Sequence, residues 1–238
     1  MDQSTAKEIL EENKKVFNKI AEEFSETRKE NWPEVSKLVK YVKRGDRVLD
    51  LGCGNGRLYK ILKDEEVEYT GVDSSENLIG LARKNFIGPK FIVSDVLSLS
   101  FEKENSDVIF AIAFLHHLPS ENLRMKFLQD CYQSLKNKGL IILTVWNLWQ
   151  PQSLLKYKIW PMTLGWRPKN LDFKDVFIPW RMKTGQILNR FYHAFTKGEL
   201  KKLVVESGFK IIGCYFSQKG KTVNWLKGNN LVLIAEKL

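Results

Sequence analysis

Long apolar runs are missing from this chain of 238 residues. No stretch reaches the roughly 18 residues that span a bilayer, and "GLIILTVW" at 139–146 is only strand length, which excludes a helical membrane span. Cysteine is scarce: Cys53, Cys131 and Cys214 lie far apart, with no CxxC spacing and no pairing with histidine. Neither a disulfide framework nor a zinc cage is expected, so no metal is expected either. The first residues are polar and acidic and lack the apolar centre of a secretion signal, so a reducing, cytoplasmic setting is expected. Internal repeats and low-complexity segments are absent. Positive charge, by contrast, is in excess: the formal net charge is +10. Net charge says little about fold, but a strongly basic surface favours polyanionic partners.

Hydrophobic periodicity divides the chain. Ile9, Leu10, Val16, Phe17, Ile20 and Phe24 recur at helical spacing, which predicts an amphipathic helix over 6–30. Trp32-Pro33 breaks it, and Pro33 suits the first turn of a second helix reaching residue 41. From residue 47 strands and helices alternate: strands at 47–51, 69–73, 90–93, 107–113 and 140–145, helices at 57–62, 77–85 and 121–135. That rhythm predicts a parallel sheet with right-handed crossovers. Beyond residue 147 it fails, and 151–193 reads as an irregular insertion on the substrate face of one domain. A helix at 197–207 and strands at 210–216 and 230–236 close the chain. The expected layout is covering helices in 1–46, a cofactor-binding half in 47–146, the insertion in 147–195, and a C-terminal helix and strands in 196–238.

"VLDLGCGNGR" at 48–57 follows a strand and opens a helix, the context a glycine-rich cofactor loop requires. Gly52, Gly54 and Gly56 permit a tight turn and close approach of a ligand to backbone. Asp50 ends the first strand, where it can face the ammonium of an amino-acid moiety. Asp73 ends the second, where a carboxylate accepts from ribose hydroxyls. Asp95, after the third, can accept from an adenine amino group, with Val96 packing near the ring. A dinucleotide loop would want a third glycine at position 57, which is Arg, and the acid two residues before Gly52 suits a zwitterion better than a pyrophosphate. Three acids closing three successive strands resemble the class I S-adenosylmethionine-dependent methyltransferases. That resemblance implies a Rossmann-like α/β fold, with a seven-stranded, mostly parallel sheet whose last strand is antiparallel. It implies S-adenosyl-L-methionine as cofactor and adds Cys53, Ser74 and Ile112 to the donor-binding set. Asp107 and 112–113, at the two ends of the fourth strand, match the region beside the methionine part of the donor.

On the substrate side, "AFLHHLPS" at 113–120 puts His116 and His117 at the carboxyl end of the sheet. The insertion carries Lys156, Lys158, Arg167, Lys169, Lys174, Arg181, Lys183 and Arg190 against only Asp172 and Asp175. Tyr157, Trp160, Trp166, Phe173, Phe177, Trp180, Phe191 and Tyr192 interleave with them. Cations among aromatics hold single-stranded RNA, through phosphate contacts plus stacking worth roughly 1–3 kcal/mol per base. A hydrophobic lid with a solvated basic rim is the plainer alternative.

"FNKIAEEFSETRKENWP" at 17–33, "FIPWRMK" at 177–183 and "RFYHAFTKGELKKLV" at 190–204 are similar to signature segments of the tRNA wobble-uridine carboxymethyl methyltransferases. This family includes a stand-alone yeast-type enzyme and the methyltransferase domain of the AlkB-homologue-eight protein. The resemblance covers the chain from about residue 16 to 237, with no oxygenase or RNA-recognition domain expected within it. It implies methyl transfer to the side-chain carboxylate of 5-carboxymethyluridine. Arg28, Trp180, Arg190, Tyr192 and His193 then belong to the RNA or acceptor site, with Arg28 or Arg190 placing the carboxylate and His116 lining it. Lys156, Lys158 and Arg181 are expected to meet RNA. The resemblance also implies a small zinc-ribbon activator as partner, covering apolar surface around Phe86, Ile87, Phe91 and Ile92 at an exposed sheet edge. One departure is that Asn224-Trp225 stands further from the last strand than in the family, which leaves the role of Trp225 open. A small-molecule O- or N-methyltransferase, a non-catalytic RNA-binding subunit and an enzyme for 5-carboxymethoxyuridine remain alternatives from the sequence.

Overall fold

The computed structural model describes all residues except 29–31, 100–101 and 166–168, so Trp166 and Arg167 lie outside the described residues. The chain opens with α1 (Gln3–Glu26), capped by Asp2, then the short α2 (Pro33–Ser36) and a 3-10 turn at Val39–Tyr41. The alternating part runs β1 (Arg47–Leu51), α3 (Arg57–Leu62), β2 (Glu68–Asp73), α4 (Glu76–Asn85), β3 (Lys90–Val93), β4 (Ser106–Ile112), α5 (Glu121–Ser134) and β5 (Leu135–Trp146). After it come α6 (Pro151–Lys156), a hairpin of β6 (Asp175–Arg181) and β7 (Ile187–His193), then α7 (Lys197–Glu206), β8 (Phe209–Gln218), β9 (Lys221–Val223) and β10 (Asn230–Lys237).

The main sheet has the order β3-β2-β1-β4-β5-β10-β8-β9. Strands β1 to β5 are parallel, and β10 runs antiparallel between β5 and β8. All seven expected strands are present, and β9 adds a short eighth as a hairpin on the β8 edge. Central strands bury both faces, so they read as continuous apolar runs. On β4, Ile109 and Ala111 join the core beneath α5 and α7, while Val108 and Phe110 join the core beneath α2, α3 and α4. Strand order reverses between β1 and β4, and a parallel sheet of this kind opens its ligand crevice beyond the carboxyl ends at that point. Among the described residues no helix is long and apolar enough to cross a membrane.

The segment expected to be irregular instead contains the regular β6–β7 hairpin. Pro179 obscured it, because proline argues against a central strand but is tolerated in a two-stranded ribbon. The alternation is visible in retrospect: Val176 and Ile178 are buried, Phe177 and Pro179 exposed. The second helix ends early, at Ser36. The apolar edge at β3 is also smaller than expected. Phe91 is buried in the core and Phe86 packs against it, leaving Ile87 as the exposed member.

Helix α1, about 36 Å long at about 1.5 Å per residue, is pinned at both ends of the crevice. Asn18 Oδ1 accepts from Ser75 Oγ (2.8 Å) and Asn77 N (3.1 Å), and Asn55 Nδ2 donates to Ser25 Oγ (2.8 Å). Toward the hairpin, Asn13 Oδ1 accepts from Phe191 N (2.9 Å) and Glu23 accepts from Lys183 N (3.0 Å).

His193 does not reach the crevice. It is buried at the end of β7, with Nδ1 2.6 Å from Asp175 and Nε2 2.8 Å from Glu199, so both ring nitrogens are occupied and it ties the hairpin to α7. Burial alone would raise the Glu199 carboxyl, but the hydrogen bond and charge of His193, with those of Lys174 at 2.9 Å, hold it at about 2. A depressed carboxyl contributes stability that is present above its unfolded value and lost as pH falls toward the folded one. Urea unfolding should therefore show a loss between about pH 4.5 and 2 that Glu199→Gln lacks; equal acid sensitivity of both proteins would contradict this latch.

Candidate active site

A cavity of about 530 Å³ opens at the carboxyl ends of β1 and β4. One wall is the cofactor loop and the strand ends: Asp50, Gly52, Cys53, Gly54, Asp73, Ser74, Asp95, Val96 and Ile112. Gly52 has φ +75°, and a Cβ there would collide with the Phe114 ring, so the loop needs a glycine at this point. Gly52 N and Cys53 N both donate to Val72 O, at 2.8 and 3.0 Å, which clamps the loop to β2. Gly56, expected at the ligand, instead caps α3 and lets Phe91 and Ala82 pack close. Asp107, at the opposite end of β4 from Ile112, is held by Lys136 (2.7 Å) and Arg47 N (2.9 Å), so it does not belong to this site.

The two innermost acids are prepared for different groups. Asp50 is buried and accepts from Tyr69 Oη at 2.6 Å. Burial pushes its carboxyl up to about 7, aided by the nearby Asp73 and opposed by Tyr69. Among the described residues no cation lies within ion-pair distance of Asp50. A ligand ammonium would supply the missing charge. Asp73 accepts one backbone N–H on each oxygen, from Gly54 (2.9 Å) and Ser75 (2.8 Å), which fixes its plane and leaves lone pairs for two hydroxyls. Its carboxyl is raised by burial, with those two hydrogen bonds working against the shift. Asp95, more exposed, is turned by Leu97 N at 3.0 Å, with Val96 buried beside it. A glycine cradle, a buried acid lacking a cation, a bidentate acid and a third acid beside an apolar residue fit a nucleoside that carries an amino acid.

The other wall carries Phe17, Phe24 and Arg28 with His116, His117, Trp146 and Tyr192. Arg28 stacks on Phe24, its guanidinium carbon 3.5 Å from the ring centre, and stands 5.9 Å from Trp180. Arg190 faces the same indole at 5.0 Å, and lies 5.4 Å from Tyr192 and 5.9 Å from Trp146. The two arginines, 162 positions apart in the chain, thus flank one ring. Burial, with repulsion from Arg57 and Arg190, lowers the Arg28 guanidinium to about 10. Arg190 is 3% exposed, and among the described residues its Nε and Nη1 have no hydrogen-bond partner. His116 Nε2 and Asn13 Nδ2 are likewise buried and unpartnered. Asn13 and His116 line the cavity, whereas Arg190 and Trp180 lie outside its lining, Arg190 next to Tyr192 and Trp146. Buried donors are normally satisfied, and a buried cation left alone is expensive, so unpaired donors here point to an absent acceptor.

Trp180 donates to Glu23 at 3.4 Å beside this corner. Arg181, Lys156 and Lys158 are exposed outside it, whereas Lys174 is paired with Glu199 and Lys183 with Glu26. Trp225 is half-exposed on the far side of Asn147, which donates to its carbonyl at 2.7 Å. Sequence reasoning missed Tyr69, Asn13 and Arg57. Arg57 lines the cavity over Trp32 at 4.8 Å, and burial lowers it to about 10. Trp146 was findable, since it ends β5 as Asp73 ends β2.

Residues 48–139 match the family described as "Methyltransferase domain". A solved methyltransferase from Methanosarcina mazei superposes with a TM-score of 0.66 at 23% identity, over 85% of this chain and 97% of its own. A Haloferax volcanii structure described as a complex between the Trm112 methyltransferase activator and a methyltransferase gives 0.66 at 14% identity, over 92% and 96%. Sheet order, loop and acid positions together define a class I methyltransferase. A Schizosaccharomyces pombe protein named tRNA (carboxymethyluridine(34)-5-O)-methyltransferase is 30% identical over 216 residues, 83% of this chain and 88% of that one. A Saccharomyces cerevisiae protein of the same name is 32% identical over 168 residues, 70% of this chain and 55% of its own. The chain belongs to the tRNA carboxymethyluridine methyltransferase family.

An unpaired buried guanidinium should weaken the fold that contains it. Replacement by an apolar side chain of similar length, Arg190→Met, should raise unfolding stability by about 1 kcal/mol or more. A fall in the calorimetric midpoint would show that the guanidinium is already satisfied by the surrounding rings.

Proposed function

We propose that this chain methylates the side-chain carboxylate of 5-carboxymethyluridine at the tRNA wobble position, giving the methyl ester. The observation that carries the reading is the buried Arg190 guanidinium, whose Nε and Nη1 have no hydrogen-bond partner among the described residues, set with Arg28 around Trp180 beside the acid-lined crevice. S-adenosylmethionine, when bound, supplies an electrophilic methyl group on a sulfonium. Of the residues that line the cavity, Asp50 would take its ammonium, Asp73 its ribose hydroxyls, and Asp95 with Val96 its adenine. A carboxylate with a pKa near about 4 is ionised at neutral pH and needs no general base. The chain's own task is therefore alignment and exclusion of water. Planar guanidinium groups suit a planar carboxylate through forked hydrogen bonds that lysine reproduces poorly. Pairing must stay loose enough to leave one oxygen nucleophilic, since a tight ion pair stabilises the ground state. Spreading the positive charge over two stacked arginines does this.

Arg28→Ala and Arg190→Ala should each reduce methyl transfer tenfold or more, at least about 1.4 kcal/mol. Donor affinity by calorimetry should stay within a fewfold, and Arg190→Lys should rescue little. Equal losses in donor binding and transfer would move these residues out of the acceptor site.

The RNA-facing surface is read from Lys156, Lys158 and Arg181, with Lys183 at its rim, and from Trp160, Phe173 and Phe177, which are 52%, 44% and 43% exposed. Neutralising the four cations together should flatten the salt dependence of tRNA binding, lowering the slope of log K on log salt by about 3. A native slope near zero would instead favour a small acceptor molecule.

A small zinc-ribbon activator is the proposed protein partner. Strand β3 is at the sheet edge, Ile87 beside it is 98% exposed, and the Haloferax neighbour was solved in complex with a methyltransferase activator. If the isolated chain is soluble, monomeric and fully active on tRNA, no activator is needed.

A further inference from the structure

His116 and His117 sit in the 3-10 turn Leu115–His117 after β4, and both line the cavity. Their backbone partners decide what each ring can offer. Trp146 N–H donates to His116 Nδ1 at 3.3 Å, so Nδ1 keeps its lone pair and the ring proton is on Nε2. His117 Nδ1 lies 2.9 Å from the carbonyl oxygen of Phe191. A carbonyl only accepts, so here Nδ1 carries the proton and Nε2 keeps the lone pair. Adjacent residues thus present opposite groups: His116 a donor, His117 an acceptor, with ring centres 4.4 Å apart. Tyr192 flanks both, at 4.9 Å from His116 and 4.5 Å from His117. Burial, with the neighbouring cations, holds His116 well below the usual imidazole range and His117 at about 3, so both rings are neutral and the tautomers persist at physiological pH. Among the described residues the buried His116 Nε2–H has no partner.

We infer that the His116–His117 pair reads the identity of the acceptor base, donating from His116 Nε2 to uracil O4 and accepting uracil N3–H at His117 Nε2. This rests on the carboxymethyluridine reading above. O4 adjoins the substituted C5 of the ring, and His116 shares Tyr192 with Arg190, so the two assignments are compatible in one pocket. Cytosine presents the reverse order, an amino donor where uracil has O4 and a lone pair at N3. It would set donor against donor and lone pair against lone pair. Sites that pair with a specific polar edge reject an analogue lacking it strongly, because their own buried groups are left unpaired. Extruded bases are read in this way, by their Watson–Crick edge between aromatic side chains.

The test uses three anticodon stem-loop RNAs with 5-carboxymethyluridine, 5-carboxymethylcytidine or N3-methyl-5-carboxymethyluridine at the wobble position. All three carry the same carboxylate, so only the base edge varies. Equilibrium binding and methyl incorporation are measured for the native protein and for His117→Phe. The native protein should prefer the uridine RNA at least 100-fold in kcat/KM over the cytidine RNA and at least tenfold over the N3-methylated one. In His117→Phe the uridine-to-cytidine ratio should fall tenfold or more, whatever the overall rate. A ratio kept while both rates fall would overturn the inference, as would native use of cytidine within a fewfold of uridine. If His117→Phe does not fold, the N3-methylated RNA on the native protein decides alone. Equal use of all three RNAs overturns the base reading only. Modification of none overturns the acceptor assignment and this inference with it.

Discussion

The main-chain N–H and carbonyl of Phe191 are held from two sides, and the acceptor half of the crevice depends on that grip. Asn13 Oδ1 on α1 accepts its N–H at 2.9 Å, and His117 Nδ1 donates to its carbonyl at 2.9 Å. Neither bond belongs to the β6–β7 ladder, so they fix where the hairpin lies against the main sheet. Side chains alternate along a strand, so with Phe191 buried toward Ile9 and Leu171, Arg190 and Tyr192 face the other way, toward His116 and Trp146. Without this grip the two arginines would share no ring, and His117 would have no fixed tautomer. Helix α1 carries out the same task at larger scale, bridging the cofactor half through Asn18 and Ser25 and the hairpin through Asn13 and Glu23.

Charge in this site is arranged against the preference of the fold. Asp50 is buried with no ion-pair partner among the described residues, while Arg28 and Arg57 are lowered toward about 10 by burial. Arg190 is buried and, among the described residues, is in no salt bridge. An isolated buried charge is among the most costly features a domain can keep. Arg57, beside the cofactor loop, acts on Asp50 through space. Among the described residues, however, neither Asp50 nor Arg28 nor Arg190 is in an ion pair. This suits a site whose two ligands each bring one missing partner: an ammonium to Asp50, a carboxylate to the arginines. Elsewhere the same residue types are neutralised locally, as with Asp107 and Lys136, or Glu199 between His193 and Lys174. That contrast separates functional from structural charge here.

The donor half was legible because its signals are local. Glycines at a strand-to-helix turn, and acids at the ends of consecutive strands, need only short-range periodicity to be placed, and Asp50, Asp73 and Asp95 all line the cavity. The acceptor half was legible only by resemblance, because its geometry is long-range: nothing near Arg28 in sequence shows that it will share Trp180 with Arg190. His193 was assigned to the site by resemblance alone, whereas His116 also had its place after the fourth strand at the carboxyl end of the sheet. Two carboxylates brought in from β6 and α7 made it a latch. Tyr69 gave no signal, since an aromatic on a strand reads as core until its hydroxyl is found on Asp50. The hairpin was hidden by Pro179 on a ribbon that tolerates it.

The central claim is that the methyl group arrives on a carboxylate. Total tRNA incubated with the protein and methyl-labelled S-adenosylmethionine, then digested to nucleosides for mass spectrometry, tests it most directly. The account predicts label in a single wobble uridine derivative, as a methyl ester released as methanol by mild alkali. Label that survives alkali on a ring nitrogen or a ribose oxygen, or tRNA that remains unlabelled, would contradict it.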